Sequence, residues 1–382
     1  MDINESTSIS NPIRISQSKR WVIKIGSSLI TDNGRGLDCS ALDIWVEQLF
    51  QLQRVGIDVV LVSSGAVAEG MSRLGWRSRP DEISRLQAAA AIGQMGLMEA
   101  YETRFRRHGI CAAQVLLTHE DFADKQRFLN IQATLQTLMR LKAVPVINEN
   151  DTVSTEEIRF GDNDLLAALV ANMIAADRLV ILTDQKGLFT SDPRHNPDAT
   201  LINRISVDDA RLLEIAGGAG TLGRGGMLSK VKAAKMFALS GGVTTIASGR
   251  IDDVLLQIQS GLTAGTELFP GTARLIGHKQ WLAGHLITRG VLVLDEQAVE
   301  AVESSGESVH SPGVLRVEGD FGRNEMIEIA DPNGRRLAKG LSNYSAREMI
   351  QILNQRPRST PASCSELVHY GNIVLDFYNR RI

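Results

Sequence analysis

Apolar and polar positions alternate in blocks over about the first 250 residues, and the blocks read as strands and helices in turn. The run 21–25 (WVIKI) is β-prone and stops at Gly26-Ser27-Ser28. Residues 42–55 carry apolar side chains at helical spacing and end at Gly56, where a helix C-cap is expected. The run 57–62 (IDVVLV) is a second strand, and Ser63-Ser64-Gly65-Ala66 follows it at once. The same pattern predicts a helix over 83–108, a strand over 112–117, a helix over 130–141 and a strand over 144–147. After a polar stretch come a helix over 165–175, a strand over 178–182, helices over 207–215 and 227–239, and a strand over 244–247. This alternation predicts an α/β domain: an open, mostly parallel sheet with helices on both faces.

Around Pro270 the pattern changes. Short β-like runs at 291–294, 314–317 and 326–329 are separated by turn formers, of which Asp331-Pro332-Asn333-Gly334 is the strongest. With helices near 297–302 and 346–353, this part reads as a small, separate, mainly β domain. A chain of 382 residues is too long for one ordinary core, which agrees with two domains. The expected boundaries are a disordered leader over 1–18, the α/β domain over 19–265 and the β domain over 276–370.

Composition narrows the class. Hydrophobic content of 43% with 22% charged residues is that of a soluble globular protein. A net charge of −3 gives no general case for nucleic acid or an anionic membrane. No apolar run approaches the ~18 residues of a membrane span, and the leader lacks the apolar core of a signal peptide. Cys39, Cys111 and Cys364 are few, odd in number and far apart, as expected of free thiols in a reducing compartment. A cytoplasmic protein is expected.

The polar stretch 148–164 (NENDTVSTEEIRFGDND) is where chemistry concentrates. It lies between an apolar strand and an apolar helix, at the strand's carboxyl end, where open α/β sheets bind ligands. Its carboxylates and amides suit a small zwitterion or a phosphate-bearing ligand. A solvated connection capped by an Asx residue explains the same composition. Lys24 is costly inside a buried strand unless its ammonium meets an anion; an edge-strand lysine in water is the alternative. Ser63-Ser64-Gly65-Ala66 suits a carboxylate at a helix N-terminus, and equally a serine cap with a packing glycine. Gly223-Arg224-Gly225-Gly226-Met227-Leu228-Ser229-Lys230 combines close-approach glycines with a helix start and a lysine just over a turn in. It is not a Walker A loop. Thr183-Asp184 closes a strand and precedes a glycine turn, a place for a nucleoside. Together these residues describe phosphoryl transfer: lysines neutralise the phosphate oxygens, and a carboxylate acceptor, ionised at neutral pH, needs no general base.

Eight segments, WVIKIGSSLI, VLVSSGAVAEG, AAAIGQ, QRFLN, PVINENDTVSTEEI, FGDNDLLAALVA, LTDQKGL and GRGGMLSKVKAA, occur in this order. They closely resemble the glutamate 5-kinases of the amino acid kinase superfamily. The resemblance runs from about residue 20 to the C-terminus, because the last part is similar to a PUA domain. It implies the amino acid kinase fold and ATP-dependent phosphorylation of the side-chain carboxylate of L-glutamate to L-glutamyl 5-phosphate. That is the first step of proline synthesis from glutamate. It also implies Mg²⁺ with the nucleotide, feedback by proline, and a homo-oligomer, dimer or tetramer. By resemblance, Lys24 and Lys230 are the phosphate lysines and Asp164 their organiser. Ser64, Asp151 and Asn163 are glutamate ligands, with Asp151 a natural partner for the α-ammonium. Lys24, Thr183, Asp184, Arg224, Gly225, Gly226, Met227, Leu228, Ser229 and Lys230 are the ATP site. Arg224 departs from the small hydroxyl residue expected there, Leu228 from a small polar one, and Gln297 from a glycine of the PUA pattern. No metal ligand is assigned; Asp162 is conceivable but unsupported.

Two other readings stay open. One is an RNA-binding or regulatory protein with a vestigial kinase domain. Against it stand an intact Lys24, Asp164 and Lys230, and a C-terminal part (271–382) with about a dozen charges of each sign and no basic stripe. The other is a sibling kinase with a different carboxylate acceptor.

Overall fold

Lys24 lies on a strand whose other positions are almost entirely apolar, and the fold explains how such a strand accepts it. In the computed structural model the described residues are 18–31, 36–154, 163–217, 226–271, 288–305, 307–323, 325–354 and 365–375. They fall into two units, residues 1–118 with 129–274, and residues 119–128 with 275–382.

The first unit is built on an eight-stranded sheet. Its strands are β1 (Arg20–Ile25), β2 (Asp58–Ser63), β3 (Ala112–Leu117), β4 (Val144–Glu149), β5 (Arg178–Thr183), β6 (Arg204–Ser206), β7 (Val243–Ser248) and β8 (Thr266–Phe269). The order is β3-β4-β2-β1-β5-β7-β8-β6, parallel from β3 to β7. β8 runs antiparallel to β7, and β6 parallel to β8. The expected parallel sheet is present, with an antiparallel edge that no apolar run announced. β4 is two residues longer than its apolar run, so Asn148 and Glu149 end a strand instead of opening a loop. The helix expected over 207–215 is only Leu212–Ala216, and that expected over 165–175 begins earlier, as Asn163–Met173.

Alternation along β1 sorts its side chains between the faces of the sheet. Trp21, Ile23 and Ile25 join a core with Leu42, Trp45 and Leu49 of the helix Cys39–Arg54 and with Leu97, Tyr101 and Phe105 of the helix Ile83–Arg107. Lys24 therefore points to the opposite face, where the helix Asn163–Met173 packs against β1. That helix is buried nearly all round because the helix Met227–Ala238 covers it in turn.

Two glycine positions set the first helix after β2. Gly65 has φ +102°, the left-handed conformation that turns the chain from β2 into the helix Ala66–Arg73. This helix lies so close to Ile83–Arg107 that a Cβ on Gly93 would come 1.9 Å from the Ala66 carbonyl oxygen. The glycine thereby brings its neighbour Gln94 to the end of the sheet.

The second unit has a five-stranded sheet of order β11-β9-β12-β13-β15, with strands Val314–Gly319, Gly290–Leu294, Met326–Ala330, Arg336–Leu341 and Ile373–Leu375. A two-stranded ribbon pairs β10 (Val309–His310) with β14 (Glu366–Val368). Leu292, Leu294, Ile327, Ile329, Ala346 and Met349 form its core. Asp331 closes the expected turn by accepting from the Asn333 and Arg335 amides at 2.9 and 2.8 Å. Among the described residues no helix is long and apolar enough to cross a membrane.

Candidate active site

The chain leaves β1 for β2 on one side and later returns to β5 on the other, so β1 sits at the point where strand order reverses. Ligands of open α/β sheets lie outside the carboxyl ends of the strands at such a point. Lys24, Ser63, Asn148, Glu149 and Thr183 all stand at or beside those ends.

At the centre is Asp164, in the first turn of the helix Asn163–Met173 and fully buried. Its Oδ1 meets Lys24 Nζ at 2.6 Å, and its Oδ2 meets Lys230 Nζ at 2.8 Å. Ser229 Oγ also donates to Oδ2, at 2.9 Å. Lys24 is 4% exposed and Lys230 5%. Burial alone would push the Asp164 carboxyl up, but the Lys24 and Lys230 ammoniums offset this and hold it well below the usual carboxylate range. Asp164 thus shares one carboxylate between two buried ammoniums. Buried ammoniums at the carboxyl edge of the sheet suit an anionic ligand. Three sequence-distant segments therefore converge on one anion-seeking centre.

Beside it lies a frame of amides. Asn163 Nδ2 reaches the Ser63 carbonyl oxygen at 2.9 Å, Ser64 Oγ at 3.1 Å and Asn148 Oδ1 at 2.8 Å. Asn148 Oδ1 also accepts from the Glu149 amide at 2.9 Å, and Asn148 Nδ2 donates to Gln94 Oε1 at 2.9 Å. Ser63 Oγ is 3.0 Å from the buried Tyr101 hydroxyl. Asp151, just past β4, is buried, and its Oδ1 has no hydrogen-bond partner among the described residues. Burial, reinforced by the Glu149 carboxylate and opposed by Arg79, pushes the Asp151 carboxyl up to about 7. Glu149 in turn accepts from Ser154 Oγ. Asp151 thus keeps one buried carboxylate oxygen without a hydrogen bond among the described residues.

Of the residues expected to bind nucleotide, Thr183 Oγ1 donates to Asp184 Oδ1 at 3.0 Å at the end of β5, the strand beside β1. Asp184 is exposed. Gly226 caps the helix Met227–Ala238, whose first turn holds the exposed Leu228 and the half-buried Met227 and Ser229. Arg224, Gly225 and Asp162 lie outside the described residues. The structure gathers Lys24, Asp164, Ser229 and Lys230 into one cluster and joins Ser64 to Asn163. Two participants had no assigned role in the sequence. Asn148 and Gln94 fall in matched segments, but a buried amide reads there like any other polar residue.

A reversed parallel sheet with a lysine-flanked aspartate at its carboxyl edge defines a class, and residues 19–247 match the Amino acid kinase family. The chain belongs to that family. Residues 290–358 match the PUA domain. At the level of individual proteins, the chain is 55% identical to the glutamate 5-kinase of Pseudomonas paraeruginosa over 368 residues, 95% of this chain and 99% of that one. It is 53% identical to the glutamate 5-kinase of Alcanivorax borkumensis over 362 residues, 94% and 96% of the two chains. A solved carbamate kinase from Giardia lamblia bound to AMP-PNP aligns with a TM-score of 0.48 at 19% identity, over 67% of this chain and 100% of that one.

Proposed function

We propose that this chain is an ATP-dependent kinase that phosphorylates the side-chain carboxylate of L-glutamate, giving L-glutamyl 5-phosphate and ADP, the first step of proline biosynthesis from glutamate. The observation that carries this reading is the buried Lys24–Asp164–Lys230 cluster at the carboxyl edge of the sheet, with a buried Asp151 carboxylate oxygen left without a hydrogen bond just past β4. The long, near-complete similarity to glutamate 5-kinases supports the choice of acceptor.

The chemistry follows from the charges. A side-chain carboxyl with a reference pKa near ~4.3 is ionised at neutral pH, so one of its oxygens attacks the γ-phosphorus without a base. The new O–P bond forms as the bond from that phosphorus to the β–γ bridging oxygen breaks, and its electron pair leaves on ADP. Two anions must be brought together, so the protein's work is positioning and neutralisation. Lys24 and Lys230 face the phosphate oxygens. Asp164 holds both ammoniums in place and, kept ionised by them, does not compete for the proton inventory. Asp151 pairs with the substrate α-ammonium, and Ser64 and Asn163 border it. Thr183, Asp184 and the run Arg224 to Lys230 take the nucleotide.

Mg²⁺ belongs to this reading as the nucleotide's counter-ion. The described residues hold no cluster of three metal-ligating side chains. When bound, the ion would neutralise phosphate charge. Proline as a feedback ligand, a dimeric or tetrameric assembly and a cytoplasmic location belong to the same proposal.

The test is ADP release from Mg-ATP with L-glutamate, L-aspartate, N-acetyl-L-glutamate and carbamate in parallel. Glutamate alone should support turnover. Turnover with another acid instead would leave the lysine cluster standing and remove the substrate assignment.

A further inference from the structure

The amide frame beside Asp164 has a polarity that backbone groups dictate. The Glu149 backbone N–H can only donate, so the Asn148 atom it meets at 2.9 Å is Oδ1. The other end of Asn148 is then the donor Nδ2, and the Gln94 atom it meets at 2.9 Å must be the acceptor Oε1. Gln94 is therefore left with its NH₂ group unused. The same logic runs through Asn163. Its nitrogen faces the Ser63 carbonyl, which can only accept, so its unused atom is the acceptor Oδ1. Among the described residues Gln94 Nε2, Asn163 Oδ1 and Asp151 Oδ1 are buried without partners. Gln94 is only 8% exposed.

Unpaired buried donors and acceptors are costly, and these three, two of them joined through Asn148 and the third just past β4, call for a ligand. The set is one donor, one acceptor and one carboxylate oxygen. Its complement is a group with a cation bearing several N–H bonds and an anionic oxygen: the ammonium and carboxylate of an amino acid's α-carbon. Of these three, Asp151 and Asn163 match the ammonium, and Gln94 is the donor for the carboxylate.

We propose that Gln94 is a substrate-binding residue whose side-chain NH₂ donates to the α-carboxylate of the amino-acid substrate, with Asn148 fixing the direction of that amide. The assignment rests on the glutamate-kinase reading and adds to it the group that recognises the α-carboxylate. Gln94 lies on the helix Ile83–Arg107, more than fifty residues before the polar stretch that marks the site in the sequence. Gly93 is what admits it, since any side chain there would hold the helix away from Ala66.

The experiment compares L-glutamate with L-isoglutamine, which keeps the reacting side-chain carboxylate but has an amide at the α-carboxyl, in the protein as it stands and in Gln94→Met and Gln94→Glu. A charged hydrogen bond of ordinary strength sets the scale at about 10- to 100-fold. The unaltered protein should prefer glutamate by at least about tenfold in kcat/KM. Gln94→Met should raise the KM for glutamate by about 10- to 100-fold, with kcat and the KM for ATP within about threefold of normal. Gln94→Glu turns the donor into an acceptor that repels a carboxylate and can accept from an amide. It should move the glutamate-to-isoglutamine ratio by about 100-fold towards isoglutamine. Equal use of the two acids by the unaltered protein would overturn the proposal, even if neither variant folds. A Gln94→Glu ratio equal to the unaltered one would overturn it too, since a merely structural amide damages both substrates alike. No turnover of glutamate by the unaltered protein would sink the kinase reading itself, a separate result seen before any variant is made.

Discussion

The raised Asp151 carboxyl makes glutamate capture depend on pH in a calculable way. Only the ionised form pairs with an α-ammonium, so the apparent dissociation constant is the intrinsic one multiplied by one plus the ratio of protonated to ionised Asp151. With the carboxyl at about 7 in the empty site, that factor is about 1.1 at pH 8 and about 11 at pH 6. The KM for glutamate should therefore rise about tenfold between these values, with unit slope below pH 7 on a logarithmic plot. The substrate's own side-chain carboxyl, near ~4.3, stays ionised throughout. The assay is initial rate against glutamate at saturating ATP from pH 5.5 to 8.5, with the KM for ATP as the control that should stay flat. Asp151→Asn should abolish the slope and raise the KM at pH 8 by about 100-fold, the loss of one charge-assisted pair. The same group has a stability signature of opposite sign. Its folded value lies above the unfolded 3.8, so the stability it contributes is full below 3.8 and is lost as pH rises to about 7. Carried from 3.8 to about 7, this amounts to at most about 4 kcal/mol. Asp151→Asn should consequently melt higher than the parent at pH 8 while binding glutamate poorly. A flat glutamate KM between pH 6 and 8, or a slope that survives in Asp151→Asn, would refute the reasoning.

Lys230→Ala should cut kcat by about 100-fold or more and leave the KM for glutamate within about threefold, because the proposed mechanism puts the lysine on the transferring phosphate; a near-normal kcat would remove it from the mechanism. Asp164→Asn leaves two buried ammoniums without their shared counter-charge. It should lose about 3–5 kcal/mol in a denaturant titration at pH 7 as well as most turnover. Because the Asp164 carboxyl is held below its ordinary value, that difference should be present above pH 3.8 and shrink as the pH falls further. Gly93→Ala forces a methyl group against the Ala66 carbonyl, so thermal melting should show a loss of about 3 kcal/mol or more. In that variant the glutamate KM should rise more than the ATP KM, since Gln94 is the next residue.

Much of the sheet was legible because its central strands are mainly apolar. β1, β2, β4, β5 and β7 are almost wholly buried, and Lys24 stood out because it falls inside an apolar run, whereas Arg20, Asp58, Glu149 and Arg178 stand at strand ends. β6 and β8 were not legible: a three-residue strand and the run Thr266–Phe269 have no periodicity to read, and pairing with neighbours alone defines them. Lys24, Asp164 and Lys230 were named together by the resemblance, and the position of Lys24 inside an apolar strand called for an anion on its own. The amide frame was not. Asn148 looked like a loop residue because its strand outlasts its apolar run, and Gln94 looked like one more polar position on a 25-residue helix. Their roles come from a close helix approach permitted by Gly93 and from hydrogen-bond polarity, neither of which has a signature at one position. Ser229 was placed with the nucleotide by its segment, and its bond to Asp164 shows only once two helices pack.

The central claim is transfer of phosphate to a carboxylate of glutamate, and an acyl phosphate reacts with hydroxylamine in a way no phosphate ester or free ADP does. Purified protein should be incubated with Mg-ATP, hydroxylamine and one acid at a time, and hydroxamate measured beside ADP. The account predicts hydroxamate in step with ADP for L-glutamate, and none for L-aspartate or N-acetyl-L-glutamate. ADP without hydroxamate, or hydroxamate from another acid and not from glutamate, would contradict it.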